Sequence, residues 1–192
     1  MTPWKKLGSS YLVRRWWMNL RVDRVLLPNG IELSEYHVLE HPDWVAVVCL
    51  TEDGKMLMVE QYRYAVDRVS LEMPAGVIDD GEDPLVAAKR ELLEETGYEA
   101  DDWMFLGRCA QDPSRQTNFA YFYVARNARK VAEQTLDESE QLTIRLYSPG
   151  DVLEMVTRGE VLHGLHVAGL LWAWRQGVFR PAGRSSSGDS AK

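Results

Sequence analysis

Between Gly76 and Tyr98 the sequence places Glu82, then Arg90-Glu91, then Glu94-Glu95, and closes on Gly97. Asp83 suits the cap of a helix and Pro84 its first position. Gly97 suits the left-handed residue that ends one. Pro84–Thr96 is therefore read as a helix. Each helical residue advances about 100°, so Glu91, Glu94 and Glu95 fall within one arc of roughly 100°. Leu85, Leu92 and Thr96 fall on another arc, free to face a sheet. Three carboxylates on one arc repel each other, by roughly 0.2–0.5 kcal/mol per exposed pair. They also sit at the C-terminal end, where the helix dipole disfavours them. A solvated acidic face is the plain account of a lone Glu-x-x-Glu-Glu. The chemical account is that cations occupy the space between the acids, and clustered hard oxygens suit Mg²⁺ or Mn²⁺ rather than Zn²⁺.

These residues match Gly-x5-Glu-x7-Arg-Glu-apolar-x-Glu-Glu-x-Gly-apolar, and the chain resembles the Nudix hydrolases at every fixed position. The resemblance implies an α+β fold, an α/β/α sandwich with a mixed sheet. It implies a loop–helix–loop whose glutamates hold divalent metal beside a diphosphate. Glu91 and Glu95 would be metal ligands with Glu94 beside them, and the carbonyl of Ala75 a further ligand. Gly76, Glu82 and Arg90 would be supports, Arg90 by pairing with a glutamate. Metal neutralises an anionic diphosphate and lowers the pKa of bound water, and a carboxylate then takes the proton.

Other residues resemble one branch of that family, the ADP-ribose pyrophosphatases. They are Glu60-Gln61-Tyr62-Arg63, Leu71-Glu72-Met73-Pro74-Ala75-Gly76, and Pro113. Pro113-Ser114-Arg115 departs from the Pro-Gly common in that branch, which leaves other nucleoside diphosphate sugars open. By resemblance Arg63 contacts a substrate phosphate or sugar; otherwise it is a surface arginine ending a strand. Glu72 is a substrate contact or a strand-edge charge. The acidic loop Leu136–Glu140 would supply the base, with Glu138 and Glu140 as candidates and Glu94 as a further acid near the chemistry. Trp17, with Trp16, either packs in a core or interface or closes over a nucleobase, and core packing is expected for at least one of them. His163 and His166 read as polar residues at the start of a helix, not as ligands.

The elements that must position these residues follow from periodicity and turn signals. Strands are expected at Trp44–Leu50, Lys55–Tyr64, Ser70–Glu72, Trp103–Ala110, Ala120–Ala125 and Leu142–Tyr147. Further helices are expected from Pro149 toward Arg158 and over Val167–Gln176. Pro28-Asn29-Gly30 separates Leu20–Leu27 from Ile31–Leu39, a hairpin too small to be stable alone. Residues 1–40 are read as an N-terminal β segment that forms a homodimer, as the resembling branch does. Residues 41–180 are the Nudix domain and 181–192 a disordered tail.

The chain has 192 residues and a net charge of −7. That balance argues against a nucleic-acid binder. No apolar run is long enough to cross a bilayer, and Met1–Lys6 lacks the apolar core of a signal peptide. Cys49 and Cys109 read as reduced, buried thiols of a cytoplasmic protein. The expected function is metal-dependent hydrolysis of ADP-ribose or a related nucleoside diphosphate sugar, giving AMP and ribose 5-phosphate in the first case. The alternatives are a housecleaning hydrolase of nucleoside triphosphates or dinucleoside polyphosphates, and a non-catalytic nucleotide-sugar sensor.

Overall fold

A computed structural model describes residues 1–138 and 140–179. The expected disordered tail, 181–192, lies outside the described residues. Three antiparallel strands come first: β1 (Lys5–Arg15), β2 (Met18–Leu26) and β3 (Glu32–Glu40), in spatial order β1-β2-β3. The Pro28-Asn29-Gly30 turn joins β2 to β3 as expected, and Gly30 N–H donates to the Leu27 carbonyl at 3.0 Å. The expected hairpin is therefore part of a three-stranded sheet. β1 escaped the sequence reading because it runs through Gly8-Ser9-Ser10 and is exposed along most of its length, with no apolar alternation. Trp16 and Trp17 form the two-residue turn between β1 and β2. That position corrects the expectation of core packing: at the tip of a turn, Trp16 is 92% and Trp17 48% exposed.

The second sheet contains β4 (Trp44–Thr51), β5 (Met56–Arg63), β6 (Arg68–Glu72) and β7 (Ala75–Val77). It is completed by β8 (Tyr98–Glu99), β9 (Asp102–Ala110), β10 (Phe119–Lys130) and β11 (Leu142–Tyr147). The main path runs β11-β5-β4-β10-β8, with β6 on β5, β7 on β4 and β9 on β10. β4 and β10 pair in parallel and the other pairs are antiparallel, so the sheet is mixed. Helix α1 (Pro84–Thr96) covers one face; α2 (Pro149–Thr157) and α3 (Gly164–Arg175) cover the other. Strand alternation sorts the core between the two layers. Val45, Val47, Leu57 and Ala125 pack with Ala87, Ala88 and Leu92 of α1. Ala46, Val48, Met58 and Phe122 pack with Val152, Leu170 and Ala173. Cys49 is fully buried, and burial pushes its thiol up to about 12. Cys109 is only half-buried, and both thiols are free. Among the described residues no helix is long and apolar enough to cross a membrane.

The two sheets meet at the end of β3. Leu39 N–H donates to the Arg115 carbonyl at 2.7 Å, and the Leu39 carbonyl accepts from Thr117 N–H at 3.1 Å. Helix α1 is bounded as its sequence demands. The Asp83 carboxylate accepts from Leu85 N–H at 2.9 Å, and Gly97 ends the helix at φ 72°. A Cβ on Gly97 would stand 2.1 Å from the Ala132 carbonyl oxygen. Gly97→Ala should therefore cost at least about 1–2 kcal/mol for the left-handed backbone alone, more with the clash. The check is a urea melt, with a lower midpoint and an unchanged slope.

Candidate active site

Glu91 and Glu95 lie one turn apart on α1 and slide beneath the chain at Pro74–Val77. The Glu95 side chain is buried, and its Oε2 accepts the Ala75 N–H at 2.9 Å. A Cβ on Gly76 would lie 2.1–2.3 Å from the carboxylate atoms of Glu91. Any side chain there would push that carboxylate out of its place, which accounts for the residue that opens the motif. Arg90 clasps the assembly from outside. Its guanidinium donates to both Glu82 oxygens at 3.0 and 2.8 Å, to Glu91 Oε1 at 2.8 Å and to Glu94 Oε2 at 3.2 Å. It also donates to the Val77 carbonyl at 3.0 Å. Three acids on one arc thus divide into two roles: Glu91 and Glu95 turn inward, while Glu94 pairs with Arg90 and keeps a half-exposed side chain.

The inward pair is electrostatically loaded. Burial, then the neighbouring charges of Glu91 and Glu140, push the Glu95 carboxyl up to about 8 against the pull of the Ala75 N–H. Burial also raises Glu91, opposed by Arg90. Two crowded, desolvated carboxylates are what a divalent cation relieves, and an all-oxygen donor set fits Mg²⁺ or Mn²⁺. Among the described residues no three His, Cys, Asp or Glu side chains converge on one metal position. The acids form a pair, so backbone, substrate and water oxygens would complete a shell.

The acidic loop reaches the same end of α1. Gln134 Nε2 donates to the Glu95 carbonyl at 2.5 Å and Thr135 N–H to the Glu94 carbonyl at 2.8 Å. Glu140 is close enough for its charge to raise both Glu91 and Glu95. Glu138 is exposed.

Beside the Gly76 loop opens a cleft of about 510 Å³ whose lining includes Trp16, Trp17, Trp44, Arg63, Ala75 and Gly76. Arg63 ends β5 with an exposed side chain and donates to both oxygens of Glu72, at 2.9 and 2.6 Å. Glu72 itself is 1% exposed. Burial raises its pKa, but the Arg63 guanidinium, with smaller help from His166 and Ser70, outweighs burial and holds the carboxyl at about 2. His166 lies behind this pair: its Nδ1 accepts the Met73 N–H at 2.9 Å, and its Nε2 stands 3.7 Å from Glu72 Oε2. Burial lowers its pKa to about 3, so the ring is neutral with the hydrogen on Nε2. His163 caps α3, accepting the Leu165 N–H at 3.3 Å, as a polar residue at the start of a helix should. His166 differs from that expectation: it is buried one turn further in, and its i, i+3 spacing from His163 was the only signal.

Residues 40–163 match the family described as the NUDIX domain, and residues 4–39 match the nucleoside diphosphate sugar hydrolase N-terminal domain. The chain belongs to the Nudix family. It is 34% identical over 145 residues to an ADP-ribose pyrophosphatase of Bacillus subtilis (strain 168), covering 75% of this chain and 78% of that protein. It is 42% identical over 124 residues to a methanol dehydrogenase activator of Bacillus methanolicus, covering 64% of this chain and 66% of that protein. Its fold is similar to the crystal structure of an ADP compounds hydrolase, with a TM-score of 0.81 over 92% of this chain and 94% of that one, at 22% identity.

The raised pKa of Glu95 has a defined sign. A carboxyl whose folded pKa lies near 8, above its unfolded value near 4.3, is bound by the fold in its protonated form. Its contribution is present below about pH 4.3 and is lost as pH rises toward 8. In EDTA the melting temperature should fall between pH 6 and 8, and Glu95→Gln should flatten that fall. Added Mg²⁺ should raise the melting temperature of the parent at pH 8 and have little effect on Glu95→Gln. Thermal melts of both chains with and without metal make the check.

Proposed function

We propose that the chain hydrolyses the diphosphate linkage of ADP-ribose or a related nucleoside diphosphate sugar, giving a nucleoside monophosphate and a sugar phosphate. The observation that carries the reading is the buried Glu91–Glu95 pair under the Gly76 loop, which lines the same cleft as Arg63. The relatives named as ADP-ribose pyrophosphatases support the substrate class. In this reading Glu91, Glu95 and the Ala75 carbonyl hold divalent metal, Mg²⁺ or Mn²⁺, with Glu94 beside them. When bound, the metal supplies charge neutralisation at the diphosphate and acidifies a water.

The chain's own residues do the rest. Arg90, Glu82 and Gly76 keep the two carboxylates in place. Arg63 donates to the substrate's phosphate or sugar oxygens, and Glu72 acts through Arg63, because its own oxygens are buried and already bonded. Glu140 takes the proton from the attacking water, and Glu138 remains a solvated neighbour. The water oxygen forms the new bond to phosphorus as the bridging P–O bond breaks. Trp17 covers the nucleobase from the rim of the cleft, where its exposed ring is available for stacking.

A homodimer in the cytoplasm completes the reading, with residues 1–40 as the dimer-forming unit, 41–180 as the catalytic unit and no nucleic-acid partner. Tyr11, Leu12 and Trp17 leave apolar surface exposed on and beside β1, and β1 is an edge strand with unpaired backbone.

The test is a panel of ADP-ribose, ADP-glucose, GDP-mannose, NADH and a diadenosine polyphosphate with Mg²⁺, assayed for phosphate products. A nucleoside diphosphate sugar should be the preferred substrate; preference for the polyphosphate would overturn the reading. On that substrate Glu140→Gln should lower kcat more than tenfold, about 1.4 kcal/mol in the barrier, and Glu138→Gln less than threefold. Sedimentation at micromolar concentration should give a dimer for the full chain and a monomer for a chain starting at His41.

A further inference from the structure

The cleft holds two polar groups to which the chemistry above gives no role. The Trp44 indole Nε1 is buried without a hydrogen-bond partner among the described residues. So is the side-chain oxygen of Asn118, a residue only 3% exposed. Both residues line the cleft. A buried donor or acceptor left unpaired costs about 1–3 kcal/mol, and each such group calls for an account.

The topology brings the two residues to the same end of adjacent strands. β4 and β10 run in parallel with Trp44 opposite Ala120, so Asn118 lies just ahead of the strand beside Trp44. Its backbone is fixed on both sides. Thr117 N–H donates to the Leu39 carbonyl at 3.1 Å, and Phe119 N–H to Asp43 Oδ1 at 2.7 Å. On its other side Trp44 pairs with Val77, and Val45 with Gly76. Both residues thus line the cleft shared with the Gly76 loop, Trp44 from the strand paired with β7 and Asn118 from across that strand.

The Trp44 ring is already enclosed. It stacks on His166 at 5.6 Å and 21°, and meets His163 and Phe122 edge-on at 5.3 and 6.3 Å. Packed in this way it contributes its N–H, not a stacking face. An indole N–H only donates, while a carboxamide donates and accepts. Neither is charged, so neither compensates a phosphate, a task that falls to Arg63 and metal. A neutral donor beside a neutral donor–acceptor complements hydroxyl groups, each of which donates and accepts.

We propose that Trp44 Nε1 and the Asn118 carboxamide bind hydroxyl groups of the substrate's sugar, and so discriminate a nucleoside diphosphate sugar from a diphosphate that lacks one. This rests on the nucleotide-sugar reading given above. A site built to bond a hydroxyl rejects an analogue without it, because its own polar groups then stay unpaired.

Calorimetry on the full chain, with Ca²⁺ in place of Mg²⁺ to slow turnover, compares ADP-ribose with the terminal methyl ester of ADP. The ester keeps the charge of the diphosphate and the nucleoside ribose, and lacks the sugar beyond the diphosphate. ADP-ribose should bind at least tenfold more tightly. Trp44→Phe, which keeps an aromatic ring, and Asn118→Leu, which keeps the volume, should each shrink that ratio at least threefold. Affinity for the ester should stay within twofold. Melting curves identify a variant that fails to fold, and Asn118→Ser then replaces Asn118→Leu. Equal affinity of the parent for both ligands overturns the proposal, as does a ratio unchanged in the folded variants. Equal loss of affinity for both ligands also overturns it, because that is the mark of a packing role. A parallel Mg²⁺ assay of the parent separates the two readings. Preference in binding without hydrolysis of any nucleotide sugar overturns the hydrolase reading and leaves this one standing, and hydrolysis without preference does the reverse.

Discussion

An ionised carboxylate is stable in water and costly in a protein interior. This chain places Glu91 and Glu95 together out of solvent, on one side of one helix. Much of the surrounding structure exists to make that placement tolerable. Gly76 has no side chain because Glu91 occupies the space a side chain would fill. The Ala75 N–H is turned to Glu95, and β7 is fastened to β4 so that it stays there. Arg90 stands close enough to pair with Glu91, yet its strongest bonds go to Glu82 on the loop ahead of the helix. The cation on the outside thus holds the frame and leaves the inner oxygens incompletely compensated.

A second carboxylate shows the opposite solution. Glu72 is as thoroughly buried as Glu95, but it receives two charge-assisted bonds from Arg63. Its pKa therefore goes down where that of Glu95 goes up. A bidentate pair of this kind fixes the plane of the guanidinium. The same residue type, at the same depth, is thus bonded to a guanidinium in one place and to a backbone N–H in the other. The difference lies in which partner the fold provides, not in burial.

This contrast also explains what could be read from the sequence. The α1 segment was legible to its last residue, because a capping Asp83, Pro84 and a terminal Gly97 are local signals. The acid spacing was legible because helix geometry converts it directly into an arc. Sheet strands with apolar runs, such as Trp44–Thr51 and Leu142–Tyr147, were legible for the same reason. β1 was not, since its exposed Gly-Ser stretch carries no pattern, and Trp16 and Trp17 moved from a supposed core to a turn as a result. Three acids on one arc gave no hint that Glu94 would turn away, because that depends on where Arg90 lies. How near the acidic loop comes to α1 was not legible either, since the bonds of Gln134 and Thr135 to the helix end set it. Tertiary contacts decide each of these points, and helical or strand periodicity says nothing about them.

The cleft itself is the least local feature. Its lining comes from the β1–β2 turn, from the starts of β4 and β10, from the end of β5 and from the loop at Gly76. Leu39 joins two of these sources by bonding to Arg115 and Thr117 on either side of the isolated Leu39–Gln116 bridge. The Tyr36 hydroxyl donates to the Ser114 carbonyl in the same turn. Pro113-Ser114-Arg115, where the sequence departs from its resembling branch, therefore lies at the junction between the N-terminal sheet and the catalytic fold. A change of sequence there does not touch the acids of α1. It acts where the backbone bonds of Leu39 and the Tyr36 hydroxyl tie the N-terminal sheet to the segment leading into β10. The acids of α1 thus come from one short continuous segment, whereas the cleft beside them comes from strand ends that only the folded sheet brings together.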